Sequence, residues 1–252
     1  MNNIIDIVED HYEQLEPFLT MPERAVGRPR WDDLSVLKGI LWVLVSGARW
    51  KDLPEQYPSY QTCHRRFQIW VKRGTFQRIL QVLVKRTGVD LSETYIDGTF
   101  ALARKGGKKV GISLRGKGSK VMLLLSKNQI PVSVQVESGA PHEVSCVPSL
   151  IQNRMVRSRP KIILGDKAYD SDRLDKELKK AGIEMIAPNR DCRLVKDQDR
   201  RKLRRMRRRW RIERYFSWLK NHRRLISRWE TNPDNFLGMV LLACIGLTLK
   251  GF

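Results

Sequence analysis

TYIDGTF (Thr94–Phe100) is the stretch whose reading decides the fold. Its β-branched and aromatic residues read as a strand, with the turn-forming pair Asp97-Gly98 expected at its end. Upstream, from Trp31 to Gly88, apolar residues recur at helical spacing throughout. Downstream, β-rich runs alternate with helical ones. The chain therefore divides near residue 90, into an all-helical region 1–89 and an α/β region 90–252.

A glycine- and lysine-rich loop follows, ARKGGKKVGISLRGKGSK (Ala103–Lys120). KVMLLLS (Lys120–Ser126) and IPVSVQVES (Ile130–Ser138) read as strands joined by a turn at Lys127–Gln129. Helical residues run from Glu143 to Met155. KIILGDKAYDS (Lys161–Ser171) reads as a buried strand, Ile162–Leu164, entering Gly165-Asp166. Ser171 or Asp172 caps the next helix, which Gly182 closes. EMIAP (Glu184–Pro188) is a fifth strand. A basic connector from Asn189 leads into RRMRRRWRIERYFSWLKNHRRL (Arg204–Leu225), where Ile212, Phe216 and Leu219 at i, i+4, i+7 predict one amphipathic helix.

Three meandering strands followed by alternating helices and strands make a mixed sheet flanked by helices. If the first and fourth strands are parallel neighbours, Asp97 and Asp166 emerge side by side. Active groups of open α/β sheets gather there, outside the carboxyl ends of strands. Glu213 would join them from the basic helix, where it shares a face with Arg209 and Lys220 at about 100° per residue. Three converging carboxylates suit two Mg²⁺ ions, with Mn²⁺ as a substitute, because hard cations take oxygen ligands and leave positions for water and phosphate. Each acid alone has an ordinary reading: a turn at Asp97, a cap at Asp166, an ion pair with Arg209 or Arg214 at Glu213.

In the helical region, Ile4, Ile5, Val8 and Tyr12 are helically spaced, and Pro17 and Pro22 are expected to break the pattern. GRPR (Gly27–Arg30) reads as a basic linker or as an extended hook whose Arg28 and Arg30 follow a minor groove. Asp32 or Asp33 caps DLSVLKGILWVLVSG, Ser59 opens a second helix and Thr75 a third. The helix from Ser59 buries Cys63, Phe67, Trp70 and Val71 and presents Gln61, Arg65, Gln68 and Lys72. That polar face suits base edges and phosphates in a helix-turn-helix-like arrangement.

A net charge of +21 and a pI near 10.2 point to a polyanion, nucleic acid before an anionic membrane surface. The acidic start MNNIIDIVED has no export layout. FLGMVLLACIGLTL (Phe236–Leu249) is too short to span a bilayer and reads as a buried helix. Four scattered cysteines with no CxxC pair fit a reducing cytoplasm, beside the nucleoid.

The chain resembles the DDE transposases of bacterial insertion sequences, most closely the insertion-sequence-five family. The matching pieces are GRPRWDDLSVLKGILWVLVSGARWKDLPEQY, TCHRRFQIW, YIDGTF, GAPHE, ILGDKAYDS, RRRWRIERYFSWLKNHRRL and NFLGMVLLACI. The resemblance implies an RNase H-like catalytic domain over 90–252, a DNA-binding region over 1–89, and Asp97, Asp166 and Glu213 as catalytic metal ligands. The family's final motif matches Arg209 and Lys220, which with Lys167 are expected at phosphates; His142 matches a family histidine and reads as a group behind the carboxylates, a DNA contact or a structural histidine. The family's final motif has a tyrosine where this chain has Met206. The expected partners are duplex DNA, as terminal inverted repeats and target, and further copies of the chain in a dimer or larger synaptic complex; no membrane is expected. A non-catalytic DNA-bridging descendant is the rival reading. A nuclease of RNA–DNA hybrids is a third, and it leaves the helical region without a role.

Overall fold

The computed structural model describes residues 3–21, 29–193 and 198–251. Helices α1 (Ile4–Asp10), α2 (Tyr12–Leu19), α3 (Asp33–Ser46), α4 (Tyr60–Lys72) and α5 (Thr75–Thr87) come first. Strands β1 (Thr94–Ala103), β2 (Gly111–Ser113), β3 (Gly116–Ser126) and β4 (Pro131–Ser138) follow. Then come α6 (Val147–Gln152), β5 (Ile162–Leu164), α7 (Asp172–Lys180), β6 (Glu184–Ile186), α8 (Arg200–Leu203), α9 (Trp210–Lys220), β7 (Ser227–Arg228) and α10 (Pro233–Lys250).

The sheet runs β2-β3-β1-β5-β6, with β4 beside β3 and β7 beside β1. β1 is antiparallel to β3 and parallel to β5, which meets the condition for Asp97 and Asp166 to emerge side by side, and β5 is parallel to β6. Side-chain alternation sorts the strands onto two faces. Tyr95, Leu123, Leu125, Val134 and Leu164 join one apolar cluster, shared with α5, α9 and α10. Ile96, Met122, Leu124 and Ile163 join the other, under α6 and α7, and so does Val132, which a register shift at Leu124/Leu125 puts out of step with Val134. A sheet covered on both faces explains why β3 reads as the unbroken apolar run Val121–Leu125.

The expected caps are present. The Asp32 carboxylate accepts from Ser35 N at the start of α3, Gly47 closes it in the left-handed region, and Ser59 and Ser171 cap α4 and α7. Thr75 is the first residue of α5 rather than its cap; Gly74 precedes it with φ +64°. α10 is buried on nearly every side and packs on α5, α1 and β4. By length and composition it could cross a membrane, but 67% of it is buried within the protein. One apolar cluster takes residues from α1–α5, the sheet and α10. The change from helix to strand near residue 90 therefore interrupts no core.

The structure corrects four expectations. Pro17 lies inside α2, and the break comes at His11 instead, whose backbone leaves helical geometry. Leu15 and Leu19 hold that helix in the core despite the lost N–H. Pro22, Gly27 and Arg28 fall outside the described residues, while Arg30 is exposed. The presumed basic loop is partly a hairpin, β2 paired with the start of β3. The tight turn, Arg73-Gly74, follows the polar-faced α4; the link before it spans residues 47–59. Finally, Arg204–Leu225 is not one helix: 3-10 turns at Arg204–Arg208 and Arg223–Leu225 flank α9. Side chains at both ends are drawn aside, Arg208 and Arg209 to carboxylates at β1 and buried Arg224 to Glu230 and the Ala48 carbonyl.

Candidate active site

β1 carries Asp97 in mid-strand, opposite Leu123. The strand runs on through Gly98 to Ala103, so Asp97-Gly98 is not the strand end that the turn-forming pair suggests. Parallel pairing sets Thr94 beside Ile163 and Tyr95 beside Leu164. Carried two residues further, that register brings Asp97 beside Asp166. Asp166 begins a 3-10 turn, Lys167–Tyr169, and its Oδ1 accepts from Ala168 N at 2.8 Å. The turn fits because Gly165 has no side chain to meet the Tyr169 ring, which lies 2.7 Å from where a Cβ would stand.

Asp97 faces α9. Its Oδ2 accepts from Arg209 at 2.6 Å and its Oδ1 from Gly98 N at 2.8 Å. Burial holds its carboxyl above the usual range, Arg209 and the Gly98 N–H pull it down, and Asp166 pushes it up. The same Arg209 nitrogen lies 3.7 Å from Glu213 Oε1, so one guanidinium stands between the two carboxylates. Their oxygens are no further apart than those two distances added together. Glu213 is 62% exposed against 16% for Asp97. Arg209 Nε is buried without a hydrogen-bond partner.

A fourth carboxylate, Glu143, comes from the opposite face of the sheet. It stands against Gly98, where a Cβ would lie 3.0 Å from its Cδ, and Tyr169 Oη donates to its Oε2 at 3.0 Å. Burial raises the Glu143 carboxyl, Tyr169 lowers it, and Asp97 raises it again. Burial and Glu143 also push the Tyr169 phenol far up, so Tyr169 stays protonated and ties the turn holding Asp166 to the segment after β4.

Behind the site, the Arg208 fork grips Glu93 just before β1, with Nε at 2.7 Å from Oε1. Tyr95 Oη donates to Glu93 at 2.8 Å and accepts from Arg211 at 2.7 Å. Arg208 and Arg211 thus tie the entry of α9 to the strand carrying Asp97. Glu93 lies in no motif the sequence offered; Tyr95, Tyr169 and Glu143 lie within YIDGTF, ILGDKAYDS and GAPHE, but nothing in those pieces announced the contacts they make.

The remaining expected residues are scattered. Lys167 is exposed and pairs with Asp191 at 2.8 Å. Lys220 is exposed at the end of α9. His142 is exposed, and its carbonyl accepts from Ser145 Oγ at 2.6 Å. Gln61, Arg65, Gln68 and Lys72 form the exposed face of α4 as expected, whereas Val71 is only half-buried. Met206, in place of the family tyrosine, packs partly buried against the core.

Asp97 and Asp166 offer hard oxygens that repel each other, and a divalent cation would relieve that repulsion. Among the described residues, no three of His, Cys, Asp or Glu stand close enough to hold a metal as they are. The donors fit Mg²⁺ or Mn²⁺ in kind, and Arg209 occupies the gap towards Glu213.

The profile described as "Transposase DDE domain" matches residues 90–247. The chain belongs to the DDE transposase family. The profile described as "Putative transposase of IS4/5 family (DUF4096)" matches residues 7–80 of this transposase. Uncharacterized protein y4sN of Sinorhizobium fredii (strain NBRC 101917 / NGR234) is 31% identical over 97 residues, 38% of this chain and 76% of that protein. The insertion element IS402 uncharacterized 16.2 kDa protein of Burkholderia cepacia is 32% identical over 116 residues, 42% of this chain and 79% of that protein. Among solved structures, piggyBac transposase in a synaptic complex with hairpin DNA superposes with a TM-score of 0.56 at 12% identity, over 98% of this chain and 71% of that one. That likeness shows the shared RNase H-like fold.

Proposed function

We propose that this transposase binds the terminal inverted repeats of its own element, hydrolyses a phosphodiester at each end and joins the freed 3′-OH to target DNA. The observation that carries the reading is the β1–β5 register, which sets Asp97 beside Asp166 with α9 and Glu213 facing Asp97. On this reading Asp97, Asp166 and Glu213 hold Mg²⁺ or Mn²⁺. A divalent cation there supplies the positive charge that in-line phosphoryl displacement needs.

The side-chain work follows from the geometry. Asp97 projects from mid-strand, opposite Leu123 in a β1–β3 ladder unbroken from Thr94 to Leu102, so its position is held by the sheet rather than by a loop. Arg209 neutralises Asp97 while DNA is absent, and a phosphate oxygen is the natural competitor for its fork. Lys167 and Lys220 add charge-assisted contacts that position the strand without reading bases. The exposed face of α4 supplies Gln61 and Gln68 for base edges, with Arg65 and Lys72 for phosphates. Displacement by water or a DNA hydroxyl needs no covalent protein intermediate, which agrees with a Tyr169 committed to Glu143. Holding two ends at once calls for at least two copies of the chain, working in the cytoplasm at the nucleoid.

One observation favours the rival, a non-catalytic DNA-bridging descendant: Met206 brings no hydroxyl to its position in the final motif. Strand cleavage of a duplex carrying the element's flanking inverted repeats, with Mg²⁺ or Mn²⁺, separates the two. The transposase reading expects cutting that Asp166→Ala abolishes. Undiminished cutting by Asp166→Ala would sink the ligand assignment.

A further inference from the structure

β1 and β3 continue past Asp97 into an arm. β2 folds back on the start of β3 with Ser113 opposite Gly116, leaving Leu114-Arg115 as a two-residue tip. Leu114 is fully exposed and Ile112 is 78% exposed. Leu102, on the same sheet end, is also exposed. Large apolar side chains held out in water at a hairpin tip mark a contact surface.

The arm's base is firmly built. Arg228 is buried, and its guanidinium donates to the carbonyls of Lys108 at 2.8 Å, Lys109 at 3.1 Å, Glu230 at 2.8 Å and Thr231 at 3.0 Å, and to Ser119 Oγ at 2.5 Å. Three of these five bonds, to Lys108, Lys109 and Ser119, tie the base of the hairpin to β7 and hold its tip in place rather than leaving it to sway.

Charge selects the partner. From Gly98 to Lys120 the chain has seven lysines and arginines and no acid. Arg104, Lys105, Lys108, Arg115 and Lys117 are exposed around the apolar tip. Two copies of so basic a surface repel each other, whereas a polyanion is attracted. The tip also lies roughly 20 Å along the strands from Asp97, about seven residues at ~3.3 Å each, within reach of a duplex seated at the carboxylates.

We propose that this arm is a DNA wedge: Leu114 inserts at a base step near the cleaved phosphodiester and unstacks it, while Arg115, Lys117, Arg104 and Lys105 hold the flanking phosphates. Apolar side chains that enter a step in this way kink the duplex and offset the lost stacking with added contact. The inference rests on the reading of duplex DNA as substrate.

The test uses the full chain and a short duplex at low salt, carrying 2-aminopurine at one internal position, with fluorescein anisotropy on the same sequence to report binding. Wild type is expected to raise 2-aminopurine fluorescence several-fold on binding. Leu114→Ala should lose that rise while its affinity falls less than about threefold, and Leu114→Met should keep it. Arg115→Ala and Lys117→Ala should each lower the salt slope of binding by about one. Binding without a rise, or a rise that survives Leu114→Ala, overturns the wedge and leaves the DNA reading standing. No anisotropy change with wild type overturns both. A Leu114→Ala chain that keeps the rise but loses self-association in sedimentation equilibrium, or loses binding to phosphatidylserine vesicles, assigns the tip to another partner and overturns the wedge as well.

Discussion

Two carboxylates at the first strand, Glu93 and Asp97, each receive an arginine from the same stretch before α9, and they are used differently. Glu93 is gripped by both arms of Arg208 and bonded by Tyr95, in a pair whose acid is 6% exposed. Asp97 takes a single arm of Arg209, with Asp166 pushing its proton affinity up and Glu213 sharing the same guanidinium. The first pair is satisfied and binds the helix to the sheet. The second is left short of partners, as expected of a group kept for a ligand.

That contrast can be broken by mutation. Asp166→Ala or Asp97→Ala should lower end cleavage by roughly 10³-fold or more, the scale of removing a member of a catalytic unit, with the circular dichroism spectrum unchanged. Glu93→Ala should instead cost about 1.5–3 kcal/mol of stability, because it leaves Tyr95 and a half-exposed Arg208 without their acceptor behind the site. Thermal denaturation reads this as a fall of about 2–4 °C per kcal/mol. If Glu93→Ala melted like wild type and only cleavage fell, the roles assigned to the two pairs would be reversed.

Arg209→Ala sharpens the comparison through pH. Without the guanidinium, the Asp97 carboxyl rises further above its unfolded value, so the native state binds more protons than the unfolded chain across that window. The loss of stability, about 1–3 kcal/mol at neutral pH from a buried acceptor left unpaired, should then shrink as pH falls through the raised Asp97 value. Melting curves at about pH 7.5 and about pH 5 give the direction. A loss that grew towards acid would contradict it. Glu143→Gln is the smallest change expected. Burial and Asp97 both disfavour its charge, so the neutral amide should raise the melting temperature by roughly 2–4 °C.

Much of this was readable in the chain. Strand β5 is an apolar run ending at Gly165-Asp166, β1 is β-branched and aromatic, and the caps Asp32, Ser59 and Ser171 have short-range signals that tertiary structure does not overrule. Asp97 and Asp166 were locatable because parallel pairing turns sequence position into spatial register. The Asp97-Gly98 pair misled because turn propensity yields to a long continuous ladder, here β1 with β3 from Thr94 to Leu102. The Arg204–Leu225 run misled for a related reason: apolar periodicity reports α9, while its ends obey acids outside the run, Glu93 and Asp97 far upstream and Glu230 just beyond it. Glu143 was hidden because it reaches the site from the other face of the sheet, past a glycine, and no local pattern encodes that approach.

The central claim is that Asp97 and Asp166 together hold the divalent cation that cleavage requires. Calorimetric titration of Mn²⁺ into the full chain bound to its end duplex tests it most directly. The account predicts binding by wild type and by Glu93→Gln, and its loss in both Asp97→Asn and Asp166→Asn while the duplex stays bound. Mn²⁺ binding of wild-type strength in either aspartate variant would contradict it.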